Sequence, residues 1–209
     1  MTPDELAERI PHIYHVTDRE AWLMIERHGL LTTDQIVDRF VADPVEAERL
    51  RTERRTDFVV VHDGPDGRVT INDNLPLHFR NLAPQLDDGL TPAEWLRLLN
   101  GRVYFWPRFE RGAGFLRAGR RGGREKLLLT FDTRSLAAAH EGRLDLAPIN
   151  TGSALRKPAR RGHRTFTAAS TVGWDEWRRL RGRLDNVAEV SVRGGVPDAL
   201  DHLVERQDI

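Results

Sequence analysis

The 209-residue sequence contains no cysteine, and none of its apolar stretches approaches the roughly 20 residues that a membrane-spanning helix needs. Without cysteine there is no disulfide bond, no thiolate metal site and no cysteine nucleophile. The N-terminus has no basic segment followed by an apolar one, so we expect no secretory signal and a cytoplasmic protein. Lys+Arg and Asp+Glu both number 32, and this zero net charge does not by itself predict a nucleic-acid partner.

Two common signatures of cofactor binding are missing as well. The eight histidines are scattered, and no His-x-x-x-His or Glu-x-x-His pair falls on one helix, so we expect no metal-dependent catalysis. A Walker-type or dinucleotide-type glycine loop is also lacking. Arginines interrupt the glycines of residues 119–123, which does not suit an ordered phosphate turn.

Positive charge is concentrated in two arginine-rich stretches, residues 108–126 and residues 156–164. Such clusters suit contact with a phosphate backbone, although solvated surface arginine is the commoner explanation. If a nucleic acid is the partner, the expected contacts are Arg117, Arg120, Arg121, Arg124, Arg160 and Arg161.

Apolar periodicity and helix caps predict an α+β protein that forms a single domain over residues 1–209. Helices are predicted to begin at the cap residues Thr2, Thr17, Thr32, Asp43 and Thr91. Further helices are expected at 135–140, at 174–183 and after residue 197, and residues 72–88 are expected to form a long loop. Strands are expected at 13–17, 58–61, 69–71, 103–106, 126–131, 144–149, 165–167 and 187–192.

Two isolated polar residues stand out in these apolar strands. His15 precedes the helix predicted at Thr17, and a helix N-terminus with unpaired N–H groups is suited to an anionic ligand. A lone histidine in an apolar strand is more often a buried core residue, so both interpretations stay open. Glu189 shares a strand face with Ser191 and faces either solvent or a cleft.

The order of three short motifs resembles the ADP-ribosyltransferase fold. Tyr-His-x-Thr at 14–17 leads to His-Gly-Leu-Leu at 28–31, Tyr-Phe at 104–105 precedes an aromatic residue at 115, and Ala-Glu-Val-x-Val at 188–192 precedes Val-Pro at 196–197. The chain is most similar to toxin-type DNA ADP-ribosyltransferases, through Tyr-Phe-x-Pro-Arg at 104–108. It also resembles an uncharacterised bacterial family, through its segments at 98–106 and 148–152.

The resemblance implies two small mixed or antiparallel sheets that form an NAD cleft and are flanked by helices. It implies a mono-ADP-ribosyltransferase that uses NAD and modifies a macromolecule, most readily a nucleobase in DNA or RNA, as a toxin or defence protein. An antitoxin or inhibitor protein would then be a further partner. Two alternatives remain open: an NAD-dependent RNA 2′-phosphotransferase, and a non-catalytic nucleic-acid-binding domain that uses the arginine clusters.

The resemblance also implies roles for individual residues. His15 and Thr17 would lie at the adenosine-side ribose, Tyr104 and Phe115 would enclose the nicotinamide ring, and Glu189 would stabilise positive charge on the other ribose. Arg80 or Arg108 would meet the pyrophosphate. The full expected set is Tyr14, His15, Thr17, Tyr104, Phe105, Phe115 and Arg108 for cofactor binding, and Glu189 and Arg80 for catalysis.

The sequence departs from these relatives at three places. Many of them have a second tyrosine where this chain has Phe115, and a small hydroxyl residue where it has glycine and alanine at 112–114. The toxin-type enzymes carry an asparagine soon after the histidine strand, whereas residues 20–22 here are Glu-Ala-Trp. The detailed contacts with NAD are therefore expected to differ.

Overall fold

The computed structural model of the protein describes residues 1–65, 67–110, 124–155, 158–181 and 187–209. Within these ranges the α-helices are α1 Pro3–Arg9, α2 Trp22–His28, α3 Thr33–Phe40, α4 Pro44–Thr52, α5 Phe79–Leu82, α6 Pro92–Asn100, α7 Thr133–Ala139 and α8 Trp174–Arg181. The strands are β1 His12–Asp18, β2 Val59–Gly64, β3 Gly67–Ile71, β4 Arg102–Phe105, β5 Lys126–Asp132, β6 Leu144–Ala147, β7 Thr167–Ala168, β8 Glu189–Arg193 and β9 Leu203–Asp208. None of the helices in these ranges is both long and apolar enough to cross a membrane.

The strands form two small antiparallel sheets and one hairpin, which confirms the α+β class. One sheet has the order β1-β5-β9, the other has the order β4-β8-β6-β7, and β2 pairs with β3. As expected for its run of apolar residues, β5 is a central strand. The two sheets approach each other where Tyr14 and Trp106 exchange two main-chain hydrogen bonds of 2.9 and 2.8 Å.

The main hydrophobic core lies between the two sheets. Strand alternation directs Phe105 and Val190 of the four-stranded sheet into this core, where β5 contributes Leu129 and Phe131. The same alternation turns Tyr104 to the opposite face, where it packs against a second apolar cluster around Trp95. This opposite face carries the polar residues considered below.

Most of the predicted helix starts are confirmed. Thr2, Thr32 and Thr91 each form a capping box with the residue three positions on, and Asp43 accepts a hydrogen bond from the Val45 N–H. The helix start predicted at Thr17 is wrong. Strand β1 continues to the next residue, Asp18, a 3-10 turn follows at Arg19–Ala21, and α2 begins at Trp22 without a side-chain cap.

Asp18 explains why the strand continues past Thr17. Its carboxylate is buried and accepts hydrogen bonds from Arg124, at 2.6 Å, and from Lys126. Lys126 is the register partner of Asp18 on β5, so the ion pair fixes the end of β1 against β5. A buried carboxylate is stable only when cations and hydrogen-bond donors surround it. Both cations here come from side chains more than 100 positions away in the sequence.

The end of the chain also differs from expectation. The closing helix predicted after residue 197 is wrong, because a short 3-10 turn at Ala199–His202 leads into β9, which pairs with β5. Strand β9 is an edge strand and all its residues after Leu203 are exposed, so it lacks the apolar alternation that predicts a strand. The expected loop at 72–88 likewise contains the single-turn helix α5.

Candidate functional site

A cavity of about 290 Å³ lies among β1, α2, the β2–β3 hairpin and β4. Three residues of the expected NAD-binding set line it, namely His15, Thr17 and Tyr104. We call this space the His15 cavity. Residues from remote parts of the sequence therefore meet at one concave site, although Glu189 is not among the residues that line it.

His15 is fixed by the strand on the other side of the cavity. Its Nδ1 lies 2.8 Å from the main-chain oxygen of Tyr104, and because a carbonyl only accepts, Nδ1 must carry the hydrogen. Burial lowers the pKa of His15, and the hydrogen bond to Tyr104 opposes this shift. The ring is therefore neutral at pH 7, and its Nε2 is an acceptor suited to a hydroxyl group of a ligand.

Glu189 lies at the start of β8, on the sheet face that carries Tyr104. Its side chain is 5% exposed, and one carboxylate oxygen accepts hydrogen bonds from the Thr151 N–H at 3.1 Å and the Thr151 hydroxyl at 2.6 Å. Burial raises the pKa of the Tyr104 phenol, and the negative charge of Glu189 raises it further. Tyr104 thus lines the His15 cavity and also interacts electrostatically with the buried carboxylate.

A buried arginine balances this carboxylate. Arg161 is 3% exposed, and it donates to the main-chain oxygens of Thr151 at 3.2 Å and Ser153 at 2.9 Å. Burial lowers the pKa of Arg161, and the charge of Glu189 raises it. Its guanidinium is largely enclosed by these contacts, and the expected contact of Arg161 with a nucleic acid stays a prediction.

Replacing Thr151 by valine should destabilise the fold by about 1–3 kcal/mol, because it removes a hydroxyl donor from a buried carboxylate. Thr151→Ser keeps the hydroxyl and is the matched control, with an expected loss of less than about 1 kcal/mol. Urea denaturation measures both free energies of unfolding. Equal stability of the two variants would show that the hydrogen bond to Glu189 contributes nothing.

Strand alternation separates two expected ligand contacts from the cavity. Phe105 is the neighbour of Tyr104 and is buried in the main core, with its ring centroid 5.4 Å from that of Phe131. Tyr14 is the neighbour of His15 and points to the other face of β1, where its ring contacts Phe109 edge-on at 5.9 Å. Neither residue lines the His15 cavity.

The expected arginines and Phe115 do not complete the site either. Arg80 and Arg108 are exposed, and neither lines the His15 cavity. Phe115, Arg117, Arg120 and Arg121 lie outside the described residues.

The remaining two arginines expected at a nucleic acid make contacts within the protein. Arg124 pairs with Asp18 and lies over the ring of Phe58 at 4.2 Å, so it has a structural role. Arg160 is exposed and pairs with Asp87.

A buried arginine that the sequence did not single out does line the His15 cavity. Arg55 is 7% exposed and donates to the main-chain oxygens of Asn72, at 3.0 Å, and Leu50. Burial lowers the pKa of Arg55 to about 10, so it remains a cation at neutral pH. Its burial depends on the hairpin that closes beside α4, and no local sequence pattern indicates it.

A histidine pair and an aspartate form a second polar cluster, away from the His15 cavity. Nε2 of His140 and Nε2 of His202 face the two carboxylate oxygens of Asp198 at 2.9 and 3.2 Å. Arg143 donates to Nδ1 of His140, while Nδ1 of His202 lies 2.6 Å from the Ser135 hydroxyl. This cluster ties α7 to the turn before β9.

The three possible ligand atoms of this cluster lie within 4.8 Å of one another, a spacing that suits a metal ion. Arg143 can only donate, so its contact with Nδ1 of His140 places the hydrogen of the neutral ring on Nε2. Nε2 is also the atom that would bind the metal. We therefore assign the cluster a structural role, in which Asp198 contacts both histidines.

Acid should destabilise the protein through this cluster. Burial lowers the pKa of His140, the charge of Asp198 opposes this shift, and the charges of Arg143 and His202 add to it. The unfolded chain therefore binds the proton more readily. The stabilisation is complete above the ordinary histidine pKa of about 6.5 and is lost as the pH falls below it.

The free energy of unfolding, measured by urea denaturation between about pH 8 and pH 5, should fall with acidification. His15 contributes in the same direction, since burial lowers its pKa too. His140→Gln should flatten the pH dependence, and His163→Gln, at an exposed position outside this cluster, is the variant for comparison. A wild-type slope in His140→Gln would contradict the role given to His140.

Together, the fold and these contacts define an α+β protein whose small antiparallel sheets carry a cavity lined by histidine, tyrosine and arginine. A family model described as "Family of unknown function (DUF7002)" matches residues 11–203, and the chain belongs to this family. No curated protein and no solved structure matches the chain.

Proposed function

We propose that this protein is an NAD-dependent mono-ADP-ribosyltransferase that acts on a macromolecular acceptor, with a nucleobase of DNA or RNA as the favoured target. The observation that carries the proposal is the meeting of His15 and Tyr104 at one cavity, with the Tyr104 phenol within electrostatic reach of the buried Glu189. These residues belong to the three motifs that resemble the ADP-ribosyltransferases.

The size and lining of the cavity suit one half of a dinucleotide. Ligand pockets commonly have volumes of about 300–1,000 Å³, and the His15 cavity, at about 290 Å³, is just below this range. The neutral His15 offers an acceptor to a ribose hydroxyl, and the Arg55 cation suits the pyrophosphate. The other half of the dinucleotide would then extend along the mouth of the cavity.

In the proposed reaction, the bond between nicotinamide and ribose breaks, an acceptor atom bonds to the same ribose carbon, and the acceptor's proton is released. Glu189 would stabilise the positive charge that develops on the ribose. Its carboxylate suits this task because Thr151 holds it in a site shielded from water, where a fixed charge acts more strongly. The Tyr104 ring would have to turn aside to let the substrate reach it.

The direct test is incubation of the purified protein with labelled NAD and with DNA, RNA or protein acceptors. The expected result is transfer of ADP-ribose to one class of acceptor, or release of nicotinamide without any acceptor. NAD should also raise the melting temperature, because a ligand that binds only the folded state stabilises it. Absence of both transfer and NAD hydrolysis would overturn the proposal.

His15→Ala should remove most of the NAD-dependent rise in melting temperature, because it deletes the hydrogen-bond acceptor in the cavity. His78→Ala is the matched control, since His78 is exposed and does not line the cavity. The two variants are compared in the same thermal-shift titration with NAD. An unchanged titration in His15→Ala would place any NAD site elsewhere.

A further inference from the structure

We propose that a second cavity, at the β7 edge of the four-stranded sheet, binds phosphate groups of a single-stranded nucleic acid. It has a volume of about 680 Å³, and Arg164, Arg181, Thr167 and Thr171 contribute to its lining. We call it the Arg181 cavity. The inference rests on the proposed function in one respect: the bound strand would be the acceptor of ADP-ribose.

Arg181 is the central observation. Its guanidinium donates to the main-chain oxygen of Arg164 at 2.9 Å and to the Thr167 hydroxyl at 2.7 Å, and it lies 5.0 Å from the ring centroid of Trp177. Its Nε is buried and has no hydrogen-bond partner within the described ranges. None of these contacts of Arg181 with the described residues involves a carboxylate. Within the described ranges, the half-buried guanidinium therefore lies in the cavity wall without a counter-ion.

The positive charge of Arg164 repels that of Arg181 when no ligand is bound. Its side chain is exposed at the same cavity, and its positive charge adds to burial in lowering the pKa of Arg181. Two neighbouring guanidinium groups attract an anion that bonds to both, and phosphate matches the planar fork of arginine. A bound phosphate would therefore relieve the repulsion and accept hydrogen bonds from the guanidinium groups of both arginines.

The acidic residues of this cavity are already engaged. Asp87 accepts a hydrogen bond from Arg160 at 2.9 Å, and Asp88 accepts one from the His163 N–H at 2.9 Å. These contacts join two loops of the protein. The cavity lining contains two aspartates, Asp87 and Asp88, and four arginines, Arg160, Arg161, Arg164 and Arg181, so positive charge is in excess there.

The remaining lining favours a nucleic-acid strand over a free anion. Pro148, Ile149 and Leu180 add apolar surface, and the Leu180 side chain is 51% exposed at the cavity. Apolar surface beside arginine suits a sugar and a base next to a phosphodiester. Pro148 and Ile149 precede Thr151, which holds Glu189, by a few residues. Arg161 also lines the cavity, and the charge of Glu189 raises its pKa, so the cavity and the carboxylate share a neighbour.

The test measures the affinity of the full chain for labelled single-stranded DNA and RNA oligonucleotides by fluorescence anisotropy, without NAD. Binding should weaken steeply with salt. Arg164→Ala and Arg181→Gln should each weaken binding about tenfold and lower the salt slope by about one. The matched control is Arg179→Ala, which removes the same charge from the same helix outside the cavity and should change affinity less than about twofold.

Arg181→Lys keeps the positive charge but not the guanidinium hydrogen bonds, so it should keep part of the affinity. The melting temperature of each variant shows whether it is folded. The inference is overturned if the wild type binds neither oligonucleotide, if Arg179→Ala weakens binding as much as Arg164→Ala, or if only inorganic phosphate or anionic lipid vesicles bind. Oligonucleotide binding without any reaction with NAD would reject the proposed function alone. NAD turnover without oligonucleotide binding would reject this inference alone.

Discussion

Glu189→Gln should lower the rate of ADP-ribosyl transfer, and of NAD hydrolysis, by about 10²–10³-fold. The substitution keeps the shape of the side chain and an oxygen that can accept from Thr151. It removes the negative charge that is proposed to stabilise the ribose in the transition state. It also leaves the buried Arg161 without this counter-charge, so the variant should fold with a lower free energy of unfolding. The rates are measured with labelled NAD at saturating concentration, with the melting temperature of each variant recorded.

Glu205→Gln is the control for this prediction, because Glu205 is an exposed carboxylate on the edge strand β9. It should leave the rate unchanged within about twofold. Activity retained in Glu189→Gln would contradict the catalytic role of Glu189. The carboxylate would then serve only the buried network with Thr151 and Arg161.

The candidate site shows which parts of a site a sequence can predict. The strands that carry His15, Tyr104 and Glu189 are predictable, because each is a short apolar run bounded by turn or cap residues. The 2.8 Å contact between His15 and the Tyr104 oxygen joins residues 89 positions apart, and no local pattern predicts such a contact. Only the resemblance to a family brings these residues together in advance.

Two of the expected contacts conflict with strand geometry, and the sequence alone shows this. Adjacent strand residues point to opposite faces, so Tyr104 and Phe105 cannot both line one cavity, nor can Tyr14 and His15. In the structure, Phe105 and Tyr14 are the residues that face away. Alternation applied to each motif would have excluded one member of each pair.

Errors in the fold have a different origin, namely contacts between remote segments. The cap predicted at Thr17 is locally plausible, but burial of Asp18 between Arg124 and Lys126 extends the strand instead. Strand β9 is polar and exposed, so only its pairing with β5 makes it a strand. The burial of Arg55 likewise depends on tertiary structure, since the hairpin strand β3 and the residues after it close beside the chain that follows α4.

Gly29→Ala should be among the most destabilising single substitutions in this protein, at about 4 kcal/mol or more. Gly29 ends α2 with a φ of +67°, a conformation that side-chain-bearing residues rarely adopt. A Cβ atom added there would lie 2.1 Å from the main-chain oxygen of Val196 and 2.6 Å from Cα of Pro197. These are backbone atoms and cannot move aside, because Leu30 and Val196 hydrogen-bond to each other in both directions.

The matched control for this prediction is Gly89→Ala. Gly89 has a similar φ of +72°, but no atom of the described residues lies within 4 Å of the position that an added Cβ would take, so the change introduces only the conformational strain. That strain costs about 1–2 kcal/mol. The difference between the unfolding free energies of the two variants, measured by urea denaturation, therefore gives the cost of the steric clash at Gly29. If Gly29→Ala fails to fold and Gly89→Ala folds, the clash is likewise confirmed. Equal losses of unfolding free energy in the two variants would show that the His-Gly-Leu-Leu and Val-Pro segments are not in backbone contact. The position of Gly29 and Leu30 in the wall of the His15 cavity would then be wrong.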